Sequence, residues 1–177
     1  MVEKISKEFN ATFIGIDKLT EGTACTVLFA REYINNDFPL LIANSDQLVE
    51  TSIENYIDDC LNKNMDGSIL TFIDDELNPK WSFAEINEEK LVVRVEEKKA
   101  ISKFATVGIY FFSKGKNFVN ATIDMIINND RVNNEFYSCP VYNYCIKDGQ
   151  KIIIYNIDQK SMHGLGTPED LKIYLSK

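Results

Sequence analysis

Residues 39–47 read Pro39-Leu40-Leu41-Ile42-Ala43-Asn44-Ser45-Asp46-Gln47, and they decide the fold. Four apolar residues with no polar break predict a central parallel strand covered on both faces. The run stops abruptly at a polar turn. Upstream, Ala11-Thr12-Phe13-Ile14-Gly15-Ile16 reads as another strand, ending at Asp17-Lys18. After Thr20-Glu21-Gly22-Thr23, the apolar spacing of Val27, Ala30 and Ile34 predicts a helix. Downstream, Thr51 and Glu54 have capping-box spacing, and Ile53, Tyr56, Ile57, Cys60 and Leu61 line one helical face. Asp66-Gly67 then turns the chain into a buried strand over residues 68–73. The order strand, helix, strand, helix, strand predicts a parallel α/β layout.

The middle of the chain changes character. Residues 81–86 and 91–95 read as a hairpin around Asn87-Glu88-Glu89-Lys90, and residues 105–112 as a strand too apolar for an exposed edge. Helices are expected near 118–127, with Ile123, Ile126 and Ile127 inward, and over 135–146, where Pro140 must kink the helix or shift its start. Residues 151–157 form a strand. Thr167-Pro168-Glu169-Asp170 opens the last helix with an N-cap threonine, a proline at the first helical position and a box-closing aspartate. There is no repeat, low-complexity stretch or linker, so one domain over residues 1–177 is expected.

The bulk composition agrees. A chain of 177 residues, 45% hydrophobic and 26% charged, can bury a core without staples. A formal net charge of −8 argues against sequence-independent nucleic-acid binding, which needs a basic surface. The longest apolar runs are of strand length, too short to span a bilayer. The four cysteines, Cys25, Cys60, Cys139 and Cys145, form no CxxC pair, which fits reduced thiols in a cytoplasmic protein.

Four places could carry chemistry. Asp46 lies just beyond a strand end, where open α/β sheets bind ligands, and a carboxylate there suits a hard divalent cation; a loop or capping role is the alternative. Gly22-Thr23-Ala24 opens a helix and can present free N–H groups, or it is a plain cap. Glu96-Glu97-Lys98-Lys99 follows a strand and places a lysine for a phosphate, or it is a solvated charge run. His163, the only histidine, precedes the last helix in a glycine-rich stretch and reads as structural first and catalytic second.

In order along the chain stand GTACTVLFA, PLLIANSDQ, VEEK followed by ATVGIYFF, EFYSCPVYN and GLGTPEDL. This set resembles the sugar-phosphate nucleotidyltransferases (nucleotide-diphospho-sugar pyrophosphorylases), and most of all the bacterial subgroup of capsule and surface-polysaccharide gene clusters. The similarity runs from Phe13 to Leu175. It implies a GT-A-like, Rossmann-like α/β sandwich with a mixed, mostly parallel central sheet. It also implies transfer of a nucleotide from an NTP to a sugar phosphate or similar phosphorylated metabolite, with release of pyrophosphate.

By that resemblance Gly22 and Thr23 contact the nucleobase, and Asp46 binds the catalytic Mg2+. Glu97 holds the sugar and Lys98 its phosphate. Gly108 leaves room for the substrate, and Glu135 lies near the acceptor site. Asp46 and Lys98 are then the catalytic pair.

Two departures stand out. The family begins with a strand and a Gly-rich loop bearing an arginine and a lysine that grip the triphosphate. No such segment is found here, so the expectation is an N-terminally incomplete chain, inactive alone, whose exposed sheet edge favours homo-oligomers. Many members also carry a second metal-binding aspartate where this chain has Gly164; Asp158 and His163 are the nearby substitutes, with Asp158 taken as the metal ligand. A metal-dependent GT-A glycosyltransferase and a non-catalytic nucleotide-sugar binding module are the rivals. Nothing in the sequence names the base or the acceptor.

Overall fold

A computed structural model describes residues 2–176. The chain runs α1 (Val2–Phe9), α2 (Thr23–Val27), a 3-10 turn (Leu28–Ala30), α3 (Arg31–Ile34), β1 (Leu40–Ala43), β2 (Gln47–Val49), α4 (Ile53–Asn62) and β3 (Gly67–Ile73). Then come β4 (Phe83–Ile86), β5 (Val92–Glu96), β6 (Phe104–Phe112), α5 (Gly115–Ile127), α6 (Val141–Lys147), β7 (Ile152–Ile157), a second 3-10 turn (Gln159–Ser161), β8 (Met162–Gly164) and α7 (Pro168–Leu175).

A six-stranded sheet orders β5-β4-β6-β3-β7, with β1 pairing the far end of β6. The expected mixed α/β sheet is present, but its balance is reversed. Among the described strands only β3 and β7 run parallel; β1–β6, β3–β6, β4–β5 and β4–β6 are antiparallel. The misreading came from burial. β3 and β6 are covered on both faces by helices and so read as continuous apolar runs, a signature that parallel strands also give.

β1 itself is not central. It pairs with β6 alone, and its residues alternate between half-buried and exposed. Residues 11–16 form no strand: no other strand offers them a ladder, and Phe13, Ile14 and Ile16 are exposed. α5 also rotates away from expectation. Phe118, Val119, Ala121, Thr122 and Met125 face the core, leaving Ile123 and Ile127 exposed. Pro140 caps α6 instead of kinking a longer helix, and the helix-starting cap near 51 falls to Ser52, whose hydroxyl accepts from Asn55 N–H at 3.1 Å.

Two apolar clusters sandwich the sheet. On one face Phe112 stacks on Tyr142 at 4.5 Å between centroids and meets Phe118 edge-on, joining β6 to α5 and α6. On the other, Tyr56 and Cys60 of α4 pack against Leu70, Phe72 and Phe111. Burying aromatic rings of this size supplies most of the stabilisation. A small separate ladder, β2–β8, pairs Gln47 with Gly164 antiparallel and brings the loop before α7 against the loop after β1. That ladder sets the site.

Candidate active site

β6 is interrupted where the site forms. Between the pairs Ile69↔Tyr110 and Thr71↔Thr106 it carries two more residues than β3, a bulge centred on Gly108. Gly108 has φ +81°, and a Cβ there would stand 2.5 Å from Asn44 Nδ2 and 3.2 Å from Gln47 Nε2. The glycine therefore lets the Asn44 and Gln47 amides cross the strand. Gln47 Nε2 donates to Val107 O, and Asn44 N–H donates to Gly108 O at 3.2 Å. The expected role of Gly108, leaving room, is met here first by protein atoms.

Around that bulge lies a cavity of about 230 Å³ lined by Thr23, Asn44, Gln47, Ser82, Glu97, Gly108, Tyr137 and Ser138 among others. Thr23 Oγ1 accepts from Ser138 N–H at 3.0 Å and from the Ser138 hydroxyl at 3.0 Å. Gly22, at φ +115°, lies against the Phe136 backbone, where any Cβ would collide. The helix-start N–H expected to be free is engaged: Ala24 N–H donates to Phe136 O at 3.0 Å. Gly22-Thr23 thus seals the 136–138 segment against α2 and leaves only Thr23 facing the cavity.

Glu97 follows β5 and accepts from the Ser82 hydroxyl. Burial pushes its carboxyl above the usual range, with the Ser82 hydrogen bond and the Lys98 charge pulling the other way. Lys98, at φ +55°, donates to Tyr137 Oη at 2.8 Å, and its Nζ lies 4.7 Å from the centre of that ring. The Tyr137 hydrogen bond raises the lysine above its ordinary value. Glu135, exposed, sits in the same charge cluster, through Tyr137 and Lys98, but does not line the cavity.

A second cavity of about 410 Å³ adjoins the first, sharing Asn44, Gln47, Lys80 and Trp81 with it. Asp46, Met162, Gly164, Gly166, Thr167 and Asp170 complete its lining. Asp46 O accepts from Leu165 N–H at 2.8 Å, continuing the β2–β8 ladder. Among the described residues no protein donor reaches the Asp46 carboxylate. Asp158 is elsewhere: its Oδ1 caps the second 3-10 turn, accepting from Lys160 N–H at 2.9 Å, and it lines neither cavity. His163 is a β8 residue, buried, with Nε2 3.0 Å from Glu50 Oε1 and its ring against Tyr174. No group of three or more metal-type side chains converges among the described residues.

A family model described as Nucleotidyl transferase matches residues 3–151. The chain belongs to the nucleotidyl transferase family. As a nucleotidyltransferase its fold also has solved counterparts. A nucleoside-diphosphate-sugar pyrophosphorylase from Vibrio cholerae RC9 superposes with a TM-score of 0.76 at 22% identity, over 92% of this chain and 68% of its own. A protein from Bacillus anthracis, provisionally named a glucose-1-phosphate thymidylyltransferase and solved with a sucrose, gives 0.74 at 18% identity, over 99% of this chain and 71% of its own. No curated protein sequence matches. At these identities the likeness is one of fold. No helix among the described residues is long and apolar enough to cross a membrane.

Of the residues singled out from the sequence, Thr23, Asp46, Glu97 and Gly108 line the two adjoining cavities, whereas Gly22, Lys98, Glu135 and Asp158 line neither. Sequence reasoning missed Asn44, Lys80, Trp81, Tyr137 and Asp170. The signal for the first was present, since Asn44 opens the same polar turn as Asp46. Lys80 and Trp81 come from a loop whose position depends on the edge-on contact of Trp81 with Phe72, 5.4 Å between centroids.

Proposed function

We propose that this nucleotidyltransferase joins a nucleoside triphosphate to a sugar phosphate, or a similar phosphorylated metabolite, and releases pyrophosphate for surface-polysaccharide synthesis in the cytoplasm. The observation that carries this reading is the meeting of two cavities at one strand bulge. One is lined by hydroxyl, amide and carboxylate groups suited to a polyhydroxylated acceptor. The other presents an unpartnered carboxylate, Asp46, beside a lysine and a tryptophan.

In the reaction, a phosphate oxygen of the acceptor attacks the α-phosphorus of the triphosphate in line. The new P–O bond forms as the bond from the α-phosphorus to the bridging oxygen breaks, and pyrophosphate leaves with that electron pair. Such a step asks the protein for positioning and charge neutralisation. Glu97 orients acceptor hydroxyls from the cavity wall, Glu135 adds negative charge near the acceptor from outside it, and Lys98, steered by Tyr137, meets the acceptor phosphate. Gly22-Thr23 shapes the edge read by the base. The donor set fits a hard divalent cation: the Asp46 carboxylate meets no protein donor among the described residues, the side-chain oxygens of Asn44, Gln47, Thr167 and Asp170 line the same wall, and the sulfur there is the weakly coordinating Met162 thioether. Mg2+ bound through Asp46 would supply charge neutralisation at the phosphates.

The test is pyrophosphate release with CTP, UTP, dTTP, GTP or ATP and a panel of sugar phosphates. Turnover for one pair, abolished by Asp46→Ala without loss of the folded state, is expected. Transfer from a nucleotide sugar without pyrophosphate would move the chain to the glycosyltransferases. Absence of pyrophosphate from every pair, with nucleotide sugar bound but unchanged, would overturn the reading in favour of a binding module.

A further inference from the structure

We propose that Asp170, not Asp158, is the second carboxylate that joins Asp46 around a divalent cation in the Trp81-walled cavity. The inference rests on the nucleotidyl-transfer reading and deepens it. Three observations lead there.

The first is placement. Asp46 and Asp170 line the same cavity, although 124 positions separate them in sequence, and the β2–β8 ladder brings their loops together. Asp158 and His163 do not line it. Asp158 commits its carboxylate to a turn, and His163 is buried against Glu50 and Tyr174. Imidazole is in any case a poor partner for a hard cation of the Mg2+ type.

The second is the side-chain space at Gly164. A Cβ built there would lie 3.7 Å from Asp170 Cγ and 3.8 and 4.0 Å from its two oxygens. The carboxyl carbon of an aspartate at 164 would stand only about 1.5 Å further out from that Cβ. Asp170 therefore holds its carboxylate in ordinary van der Waals contact with the point where a side chain at 164 would begin, so a carboxylate from either position reaches the same part of the cavity.

The third is the state of the oxygens. Asp170 closes the cap of α7, its N–H donating to Thr167 Oγ1 at 3.1 Å while the Thr167 hydroxyl donates back to Asp170 Oδ2 at 2.6 Å. That leaves Oδ1 uncommitted and the carboxylate oriented, the arrangement by which an outer partner fixes a ligand. In the same cavity, Gly166 cradles Asp46: a Cβ at 166 would press to 2.8 Å from Asp46 Oδ2. Two oriented carboxylates with spare lone pairs in one cavity are what a hard cation needs and what two unpaired negative charges otherwise disfavour.

Terbium(III) tests this directly. It is a hard, oxygen-seeking ion whose emission is excited through a nearby indole. Trp81 is the chain's single tryptophan and lines this cavity. On the intact chain, terbium emission excited through Trp81 is expected to appear and to be displaced by Mg2+ or Mn2+. Asp46→Asn and Asp170→Asn should each weaken terbium binding by about tenfold or more, while Asp158→Asn leaves it unchanged. The amide oxygen introduced by Asp170→Asn can still accept from the Thr167 hydroxyl, so the cap and the melting temperature should hold. The decisive arm is rescue: Gly164→Asp added to Asp170→Asn should restore the emission.

Undiminished binding in Asp170→Asn, or a loss confined to Asp158→Asn, would overturn the assignment of Asp170. Undiminished binding in Asp46→Asn would overturn the site as a whole. Pyrophosphate release, measured separately, reports on the reaction. A failed Asp170 assignment with retained, Asp46-dependent turnover therefore leaves the functional reading standing.

Discussion

Glu97 is held where its charge is disfavoured. Burial raises its carboxyl, so the folded chain keeps that proton more tightly than the unfolded chain does. Ionisation then costs stability as pH rises from the ordinary carboxylate value through the raised one. Glu97→Gln should raise the melting temperature at pH 7, by a margin that shrinks as pH falls toward 4, while weakening acceptor binding. Thermal denaturation at the two pH values checks the sign, and a loss of stability at pH 7 would contradict it. Tyr137→Phe keeps the ring beneath Lys98 and removes the hydroxyl that accepts from it. KM for the phosphorylated acceptor should rise about fivefold, the equivalent of one hydrogen bond of roughly 1 kcal/mol, with kcat nearly unchanged. Steady-state kinetics at saturating nucleotide separates the two. Asp46, Glu97 and Lys98 could be picked out in the sequence as candidates because each lies within three residues of a strand end. Tyr137 and Asp170 could not, because their positions depend on how distant loops fold back.

At the scale of elements, the bulge in β6 is the feature on which the site hangs. Gly108→Ala would force a side chain into a left-handed backbone conformation and drive its Cβ onto Asn44. A loss of about 1–3 kcal/mol in denaturant unfolding is expected, together with weaker nucleotide binding, since Asn44 and Gln47, which pack on Gly108, flank Asp46 in the sequence. Element existence was readable over most of the chain: β3, β6, β7 and α7 fall within a residue or two of their expected bounds, because apolar runs and the Thr167-Pro168 start are strong local signals. Strand direction was not readable. The bulged β6 and its neighbour β3 are antiparallel, yet both are covered on each face, and alternation is lost wherever that happens. The 11–16 stretch has strand composition and no ladder, which local propensity cannot foresee.

Across the whole molecule stability is uneven. β3, β6 and the helices on them hold most of the buried side chains, whereas no residue of α1 is buried and Leu19 is 99% exposed. Hydrogen exchange followed by mass spectrometry should find residues 2–20 exchanging within seconds and residues 67–73 and 104–112 slowest of all. Strong protection of 2–20 would mean that this stretch packs against a surface in solution. The thiols follow the same division. Burial pushes Cys60 and Cys145 up to about 12, so a thiol-directed alkylating reagent near pH 8 should label Cys25 first, the one cysteine that is not buried.

The outer edge of β1 links these scales. β1 pairs only with β6 among the described strands, and its last residue leads directly into Asn44 and Asp46. Any strand that adds to that edge fixes the same short backbone on which ligands at Asp46 depend. Coupling free energies are reciprocal. Whatever factor an edge partner contributes to ligand affinity, the ligand must return to the edge partner, so assembly at β1 and occupancy at Asp46 form one equilibrium with two handles.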